Sequence, residues 1–475
     1  MQADLDIRSR RGTQLALTIL AVVLSVAAYV LVTLGTTGRT PPDVGAFVAV
    51  IAVAYLVAHF VVARRAPGAD PALLPTAAVL SGLGYAVIFR LDPDLAAAQF
   101  GWLLLGLALF VLVFLVIRDH RSLDAYTYTI GLVGIAFLLL PIVPGLGQTI
   151  NGARLWVSAG PISFQPAEIG KVLIVIFLAS YLNSKKELLA VATRRLGPLR
   201  LPEPRHLGPL LVAWGISLAV LFLEKDLGSS LLFFGIFVIM LWTATGRATY
   251  LALGVLLFAA GAFAGYTAFD HVQLRIDVWL RALEPDLVFE QGYGQLAQSV
   301  FALGTGGIAG TGLGQGNPDL IPFVETDFIF SAIGEELGLF GSTAVLLLYL
   351  VLIGRGFRAA LVRDDGFSKL LAVGLTSVLA LQTFVIVGGV TRLIPLTGIT
   401  LPFVSYGGSS LVANFVLLAL LVRVSAAAPA PAPGSGAGRH RAPPRWSRRA
   451  GRPLAPQESP GGNADPTVVS EKDDR

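Results

Sequence analysis

From about residue 14 onward the chain repeats one pattern: a run of roughly twenty apolar residues, then a short polar break carrying Gly, Pro, Asp or Arg. A hydrocarbon core about 30 Å thick requires some 20 apolar residues per helix, with every backbone polar group paired inside the segment. The pattern predicts an all-α polytopic membrane protein of about twelve transmembrane helices. Their cores are expected at 14–35, 45–63, 73–89, 98–117, 126–143, 166–183, 207–223, 228–245, 248–269, 326–353, 367–391 and 400–423. The first run is too long, and lacks the small-residue cleavage site, to read as a removed signal peptide. Residues 1–68 hold two N-terminal helices, 69–424 a larger transmembrane core, and 425–475 a Pro-, Ala-, Gly- and Arg-rich stretch without apolar periodicity. That stretch is expected to be a disordered cytoplasmic tail, basic enough to touch anionic lipid.

Charge sorts these breaks by side. With a cytoplasmic N-terminus, the inner loops contain RSRR near residue 10, ARR at 63–65, RDHR at 118–121, the basic stretch 185–205 and RGFRAALVRDDGFSK at 355–369. The alternate loops, 36–44, 90–97, 144–165, 270–325 and 392–399, hold few basic residues, as the positive-inside rule requires. Miscounting by one span would put basic groups on the wrong side. Both termini are therefore expected in the cytoplasm, and the large loop 270–325, between spans nine and ten, outside.

Composition agrees with the pattern: 55% of the 475 residues are hydrophobic and 14% charged, far from the usage of soluble domains. The excess of 35 Lys and Arg over 30 Asp and Glu is accounted for by sidedness, so nucleic acid is not an expected partner. The absence of cysteine removes disulfides, thiolate nucleophiles and thiolate metal sites, and the five histidines lack ligand spacing. No cofactor is evident. Several outward carboxylates leave room for a divalent cation, Mg or Mn, without spelling out a ligand set.

Ionisable residues inside spans are costly and usually have partners or tasks. Glu168 and Lys171 lie three residues apart, on one helix face, where they can neutralise each other or point together into a polar cavity. Glu224, Lys225 and Asp226 fall in a short outer turn and are less informative. Glu325 and Asp327 stand at the outer entrance of span ten, with Glu335 and Glu336 deeper and no cation nearby in sequence. The glycine run GTGGIAGTGLGQG contains the letters G-x-G-x-x-A of a dinucleotide fingerprint, but no strand precedes it and no crossover follows. Close approach of its backbone to something, or a protected re-entrant turn, fits better.

Five stretches together resemble the SEDS family of RodA- and FtsW-like proteins: NGARLWVSAGPISFQPAEIGK (151–171), DLGSSL (226–231), GYGQLAQSVFALGTGGIAGTGLGQG (292–316), TDFIFSAIGEELGLFG (326–341) and LIPLTGITLPFVSYGGSSL (393–411). They occur in the family's order over roughly residues 70–423, so the chain looks like the longer form with two additional N-terminal helices. The resemblance implies a peptidoglycan glycosyltransferase of the bacterial plasma membrane. Such an enzyme polymerises lipid II, the undecaprenyl-pyrophosphate-linked disaccharide-pentapeptide, at the outer face beside a class B penicillin-binding protein that crosslinks the product. A lipid-precursor flippase and a non-catalytic scaffold for a cell-wall synthase are the alternatives.

The polyprenyl tail calls for a groove between helices, the pyrophosphate for cations, and the acceptor hydroxyl for a base. Arg154 and Arg275 are the pyrophosphate candidates, with Lys171 assisting; Trp156, Trp279 and Tyr293 can stack on sugars or serve as belt anchors. Glu168, Gln298, Ser299, Asp327, Glu335, Ser405 and Tyr406 are further substrate-binding candidates within the matching stretches. By this resemblance the catalytic carboxylate belongs to a DP pair shortly before GYQ. Here the chain reads LRALEPDLVFEQGYGQ, so Asp286 is taken ahead of Glu284 for that role. The extra glycine in GYGQ, and EKDLG in place of a proline before the aspartate, are further departures.

Overall fold

A computed structural model describes residues 2–426 apart from 42, 151–152, 160–161, 191–193, 197–198, most of 202–225, and 287–293. Thirteen helices are present among the described residues: α1 Gln2–Thr37, α2 Val44–Arg65, α3 Leu73–Leu91, α4 Pro93–Val116, α5 Thr127–Leu139, α6 Pro166–Ala190, α7 Leu227–Thr245, α8 Ala248–Ala268, α9 Asp270–Leu280, α10 Gln295–Gly306, α11 Ile329–Leu361, α12 Gly366–Val390 and α13 Gly408–Ser425. Eleven segments among the described residues are long and apolar enough to cross a membrane, α5 counting with the tight turns that flank it; α9 and α10 are not among them. Most of the expected span at 207–223, and the tail beyond 426, lie outside the described residues.

The helices pack with α3, α12 and α13 largely enclosed and α1, α2, α5 and α8 presenting apolar faces outward. An aliphatic and aromatic exterior is what a lipid solvent demands. Side-chain contacts gather the loops into two ends. At one, Arg10 donates to Gly68 O, Arg355 pairs with Asp70 at 2.7 Å, Arg121 with Asp365 at 3.1 Å, and Arg423 donates to the carbonyls of Arg65 and Arg118. This is the set that the charge pattern assigns to the inner side. At the other end the expected outer loops meet, as where Gln315 donates to Gly35 O and Gln165 N donates to Ser409 Oγ at 2.9 Å.

Two outer loops carry structure of their own. The first forms an antiparallel sheet of β1 Gly147–Ile150, β2 Ala153–Ala159 and β3 Ile162–Phe164 in the order 1-2-3. The second, read from sequence as one long loop, contains α9, α10 and the glycine run. The glycines of that run do bring backbones together. α11 is broken at Gly338 (φ 65°), and the amides of Leu339 and Phe340 freed there donate to Gly307 O and Ile308 O at 2.9 and 3.2 Å. In return, Thr311 N and Gly312 N donate to the carbonyls of Glu335 and Glu336, both at 2.9 Å. A Cβ on Gly338 would stand 2.3 Å from Gly310 N, so only glycine permits the contact. The kink thus has its hydrogen bonds met by the loop rather than by lipid.

Candidate functional site

α9 follows α8 after a single residue, Phe269, and lies across the outer end of the bundle. Its Arg275 Nη1 donates to Leu396 O at 2.8 Å, its Trp279 Nε1 to Arg392 O at 3.1 Å, and Arg392 returns bonds to the carbonyls of Trp279 and Leu280 at 2.9 and 2.6 Å. These ties hold the arginine of α9 against the 391–407 segment. That segment is braced in turn: Ser405 Oγ donates to Thr326 O at 2.6 Å, Tyr406 N to Glu325 O at 2.8 Å, and Gln99 Nε2 to Ser405 O at 3.2 Å.

Beside Gly398 (φ +78°) the arrangement opens. A Cβ there would lie 3.7 Å from both terminal nitrogens of Arg275 and 3.7 Å from Asp327 Oδ2. The space on the side-chain side of Gly398 is therefore bordered by a cation and a carboxylate. Asp226 caps α7, accepting from Ser229 N at 3.0 Å and from its hydroxyl, and shares the field of Arg275. Burial pushes the carboxyls of Asp226 and Asp327 up. Asp327, in the turn before α11, rises to about 6 because loss of water, with Asp226 and Glu325 nearby, outweighs the opposing pull of Arg275. Glu224, also near Asp226, is fully buried, neither of its oxygens has a partner among the described residues, and burial raises its carboxyl to about 8.

An apolar groove of about 390 Å³ begins where the charges end, between α7, α8, α9, α12 and the 394–397 segment. Leu227, Ile276 and Thr397 line it and are the chain neighbours of Asp226, Arg275 and Gly398; Phe234, Phe258 and Phe384 line it further along. A charged pocket thus opens onto a lipid-like slot, which suits an amphiphile with an anionic head.

The sequence candidates divide. Arg275 and Asp327 border this pocket, and Trp279, Ser405 and Tyr406 tie together the segments that carry them. Glu284 and Asp286 both pair with Arg281, at 2.6 and 2.9 Å, on the solvent side of the loop; Tyr293 lies outside the described residues. Arg154 sits on β2 and donates to Val143 O at 3.2 Å, and Trp156 is paired in register with Gln148. Glu168 and Lys171 form a buried ion pair whose ammonium also reaches Gln382 Oε1 at 3.2 Å. Ser299 joins Ser331 Oγ at 2.6 Å and Val390 O at 3.2 Å, while Oε1 of Gln298 is buried without a partner among the described residues. Glu335 Oε1 accepts from Asn317 N at 2.9 Å, and Glu336 binds Arg90 at 2.6 Å and Gly314 N at 2.9 Å. Of the two glutamates that lack a cation nearby in sequence, Glu336 therefore obtains one from α3, while Glu335 is met by a backbone amide. Among the described residues no group of three or more His, Cys, Asp or Glu converges as a metal site. Asp226, Arg392 and Gly398 are the site residues that sequence reasoning passed over; the GIT turn before the LPFVSYGGSS block was the available signal for Gly398.

Fold and pocket define a multi-pass helical membrane protein with an apolar groove meeting charged side chains at one bundle end. The chain belongs to the FtsW, RodA and SpoVE cell cycle protein family, whose profile matches residues 79–429. It is 45% identical to the peptidoglycan glycosyltransferase RodA of Mycobacterium tuberculosis over 430 residues, 88% of this chain and 91% of that one. With the stage V sporulation protein E of Bacillus subtilis it shares 34% identity over 341 residues, 71% and 89% of the two chains. Among solved structures it is similar to a chain of a peptidoglycan synthase complex (TM-score 0.60, 28% identity, 75% of this chain and 97% of that chain). It is likewise similar to the rod shape determining protein RodA of Thermus thermophilus (TM-score 0.53, 27% identity, 75% and 96%).

Proposed function

We infer that this chain is a peptidoglycan glycosyltransferase of the plasma membrane that polymerises lipid II at the outer face, working beside a class B penicillin-binding protein. The observation that carries the reading is the Gly398 space between Arg275 and Asp327 at the mouth of the apolar groove. The groove takes the polyprenyl chain, and Arg275 faces the pyrophosphate, offering a planar pair of donors to its oxygens. Asp327 is the base. The acceptor sugar's 4-hydroxyl oxygen attacks the anomeric carbon of the donor, its proton passes to the Asp327 carboxylate, and the bond from that carbon to the pyrophosphate oxygen breaks as polyprenyl pyrophosphate leaves. A carboxyl held near 6 is matched to such a proton transfer at neutral pH. Glu284 and Asp286 are less suited, since Arg281 pairs with both and each side chain is about half exposed. The partner reading is supported by the likeness to a chain of a peptidoglycan synthase complex.

The test is reconstitution of the purified full chain in liposomes with labelled lipid II, with and without the transpeptidase. Glycan ladders are expected. Movement of lipid II between leaflets without ladders would make the protein a transporter, and neither activity would make it a scaffold.

A further inference from the structure

The family match begins at residue 79, so α1 and α2 lie outside it, yet α1 is built into the same core as the rest. Ala21, Tyr29 and Val32 are fully buried. A Cβ on Gly82 of α3 would fall 1.8 Å from Ser25 Oγ of α1, and Tyr29 packs against Phe47, Tyr85 and Phe89 with ring centroids 4.8, 5.7 and 4.8 Å away. Helices that meet through small residues and interlocked rings move as one body.

At its outer end α1 meets the glycine run. A Cβ on Gly35 would stand 2.1 Å from Leu313 O, and one on Gly314 would stand 2.9 Å from Val32 O. Gln315 Nε2 donates to Gly35 O. From its other side the same run is held by Glu336 through Gly314 N and by Glu335 through Asn317 N, while Arg90 donates to Gly316 O at 2.7 Å and to both oxygens of Asp319 at 2.9 Å. The run is thus clamped between α1 on one side and α3 and α11 on the other. The chain leaving the clamp carries Asp327 within ten residues of Asn317 and is fixed next by Ser405 at Thr326.

We propose that α1 is a strut for the outer glycine segment, with Gly35 and Gln315 as positioning residues that set the path of the chain to Asp327. Only the rate readout depends on the glycan-forming reading above. A leucine at Gly35 has backbone in its way and must push the segment off; the same substitution at Gly12, on the same helix with nothing within 4 Å, disturbs nothing. Gln315→Ala removes the hydrogen bond without steric force and serves if Gly35→Leu fails to fold.

The experiment measures deuterium uptake of peptides covering 307–328, and kcat and KM for lipid II, in full-length Gly35→Leu, Gln315→Ala and Gly12→Leu. The strut requires faster exchange in both halves of that segment and a kcat about 10- to 100-fold lower for Gly35→Leu, with KM held within about twofold. Gln315→Ala should shift both in the same direction by less, and Gly12→Leu should match the parent. Unchanged exchange in both variants overturns the proposal, as does faster exchange with the parent's kcat. If the parent itself forms no glycan, the function assigned above fails, and the exchange measurement alone decides the strut.

Discussion

Two arginines at the outer end of the bundle face carboxylates in contrasting ways. Arg90 is saturated: Glu336, both oxygens of Asp319 and Gly316 O take its donors at 2.6 to 2.9 Å. Arg275 gives one hydrogen bond to Leu396 O, and the carboxylate of Asp327 faces it across the space that Gly398 leaves. Both sites are costly for an apolar interior, but the first has its charges met by the protein and the second leaves room for something else. Saturation marks a structural junction. An open cation beside a carboxylate, next to a groove, is the place where the substrate's charges complete the set in the function proposed above.

The contrast predicts opposite phenotypes, and the largest effect belongs to the open site. Asp327→Asn keeps size and hydrogen-bonding capacity while removing the base, so glycan formation should fall about 10²- to 10⁴-fold with the thermal midpoint nearly unchanged. Glu336→Gln should cost mainly stability, leaving Arg90 underpaired in a buried place at about 3 kcal/mol, with a loss of rate in the folded protein well below that of Asp327→Asn. Ladder assays paired with thermal unfolding in detergent separate the two. A folded Asp327→Asn enzyme with the parent's rate would end the distinction.

A smaller effect lies in pH. The Asp327 carboxyl sits near 6 against an ordinary value of 3.8, so the rate should rise with pH through a limb centred near 6. Stability runs the other way. Between 3.8 and 6 the folded protein binds a proton that the unfolded chain has released, so this group's stabilising contribution is present at low pH and is lost as pH rises through 6. Glu325 is one of the like charges that hold Asp327 up. Glu325→Gln should move the limb to lower pH, read from kcat/KM between pH 4.5 and 8; a limb that stays put would detach it from Asp327.

How much of this was legible depends on how far apart the partners lie. The spans and the shared helix face of Glu168 and Lys171 follow from local periodicity and spacing, each readable within about twenty residues, and the alternation of charge needs only the order of the loops. The close backbone approach of the glycine run was readable as a need, but its object, the break at Gly338, was not. Arg90 and Glu336 are 246 residues apart, and no spacing rule reaches across that interval. The Gly398 space was illegible for a different reason, because an opening is made by what three separate segments leave out. Asp327 and Asp286 were both visible beside the motifs, and Asp286 was preferred because it precedes GYGQ; the pairing of Asp286 with Arg281 is a feature that motif position does not reveal.

That occupation gives the finest test of the comparison. Arg281 holds Glu284 and Asp286 three and five residues away, where water screens every charge and a pair of this kind contributes little. If the loop carboxylates only organise Arg281, Glu284→Gln and Asp286→Asn should each leave polymerisation within about twofold of the parent, and the double variant should do the same. The double variant matters because either acid can replace the other on Arg281, so single changes alone would hide a shared role. A double variant that loses polymerisation as completely as Asp327→Asn, at the parent's folded yield, would place a second essential carboxylate in the 281–286 turn. The open site would then have to be drawn to include that turn, with Arg281 handing its partners over when substrate arrives.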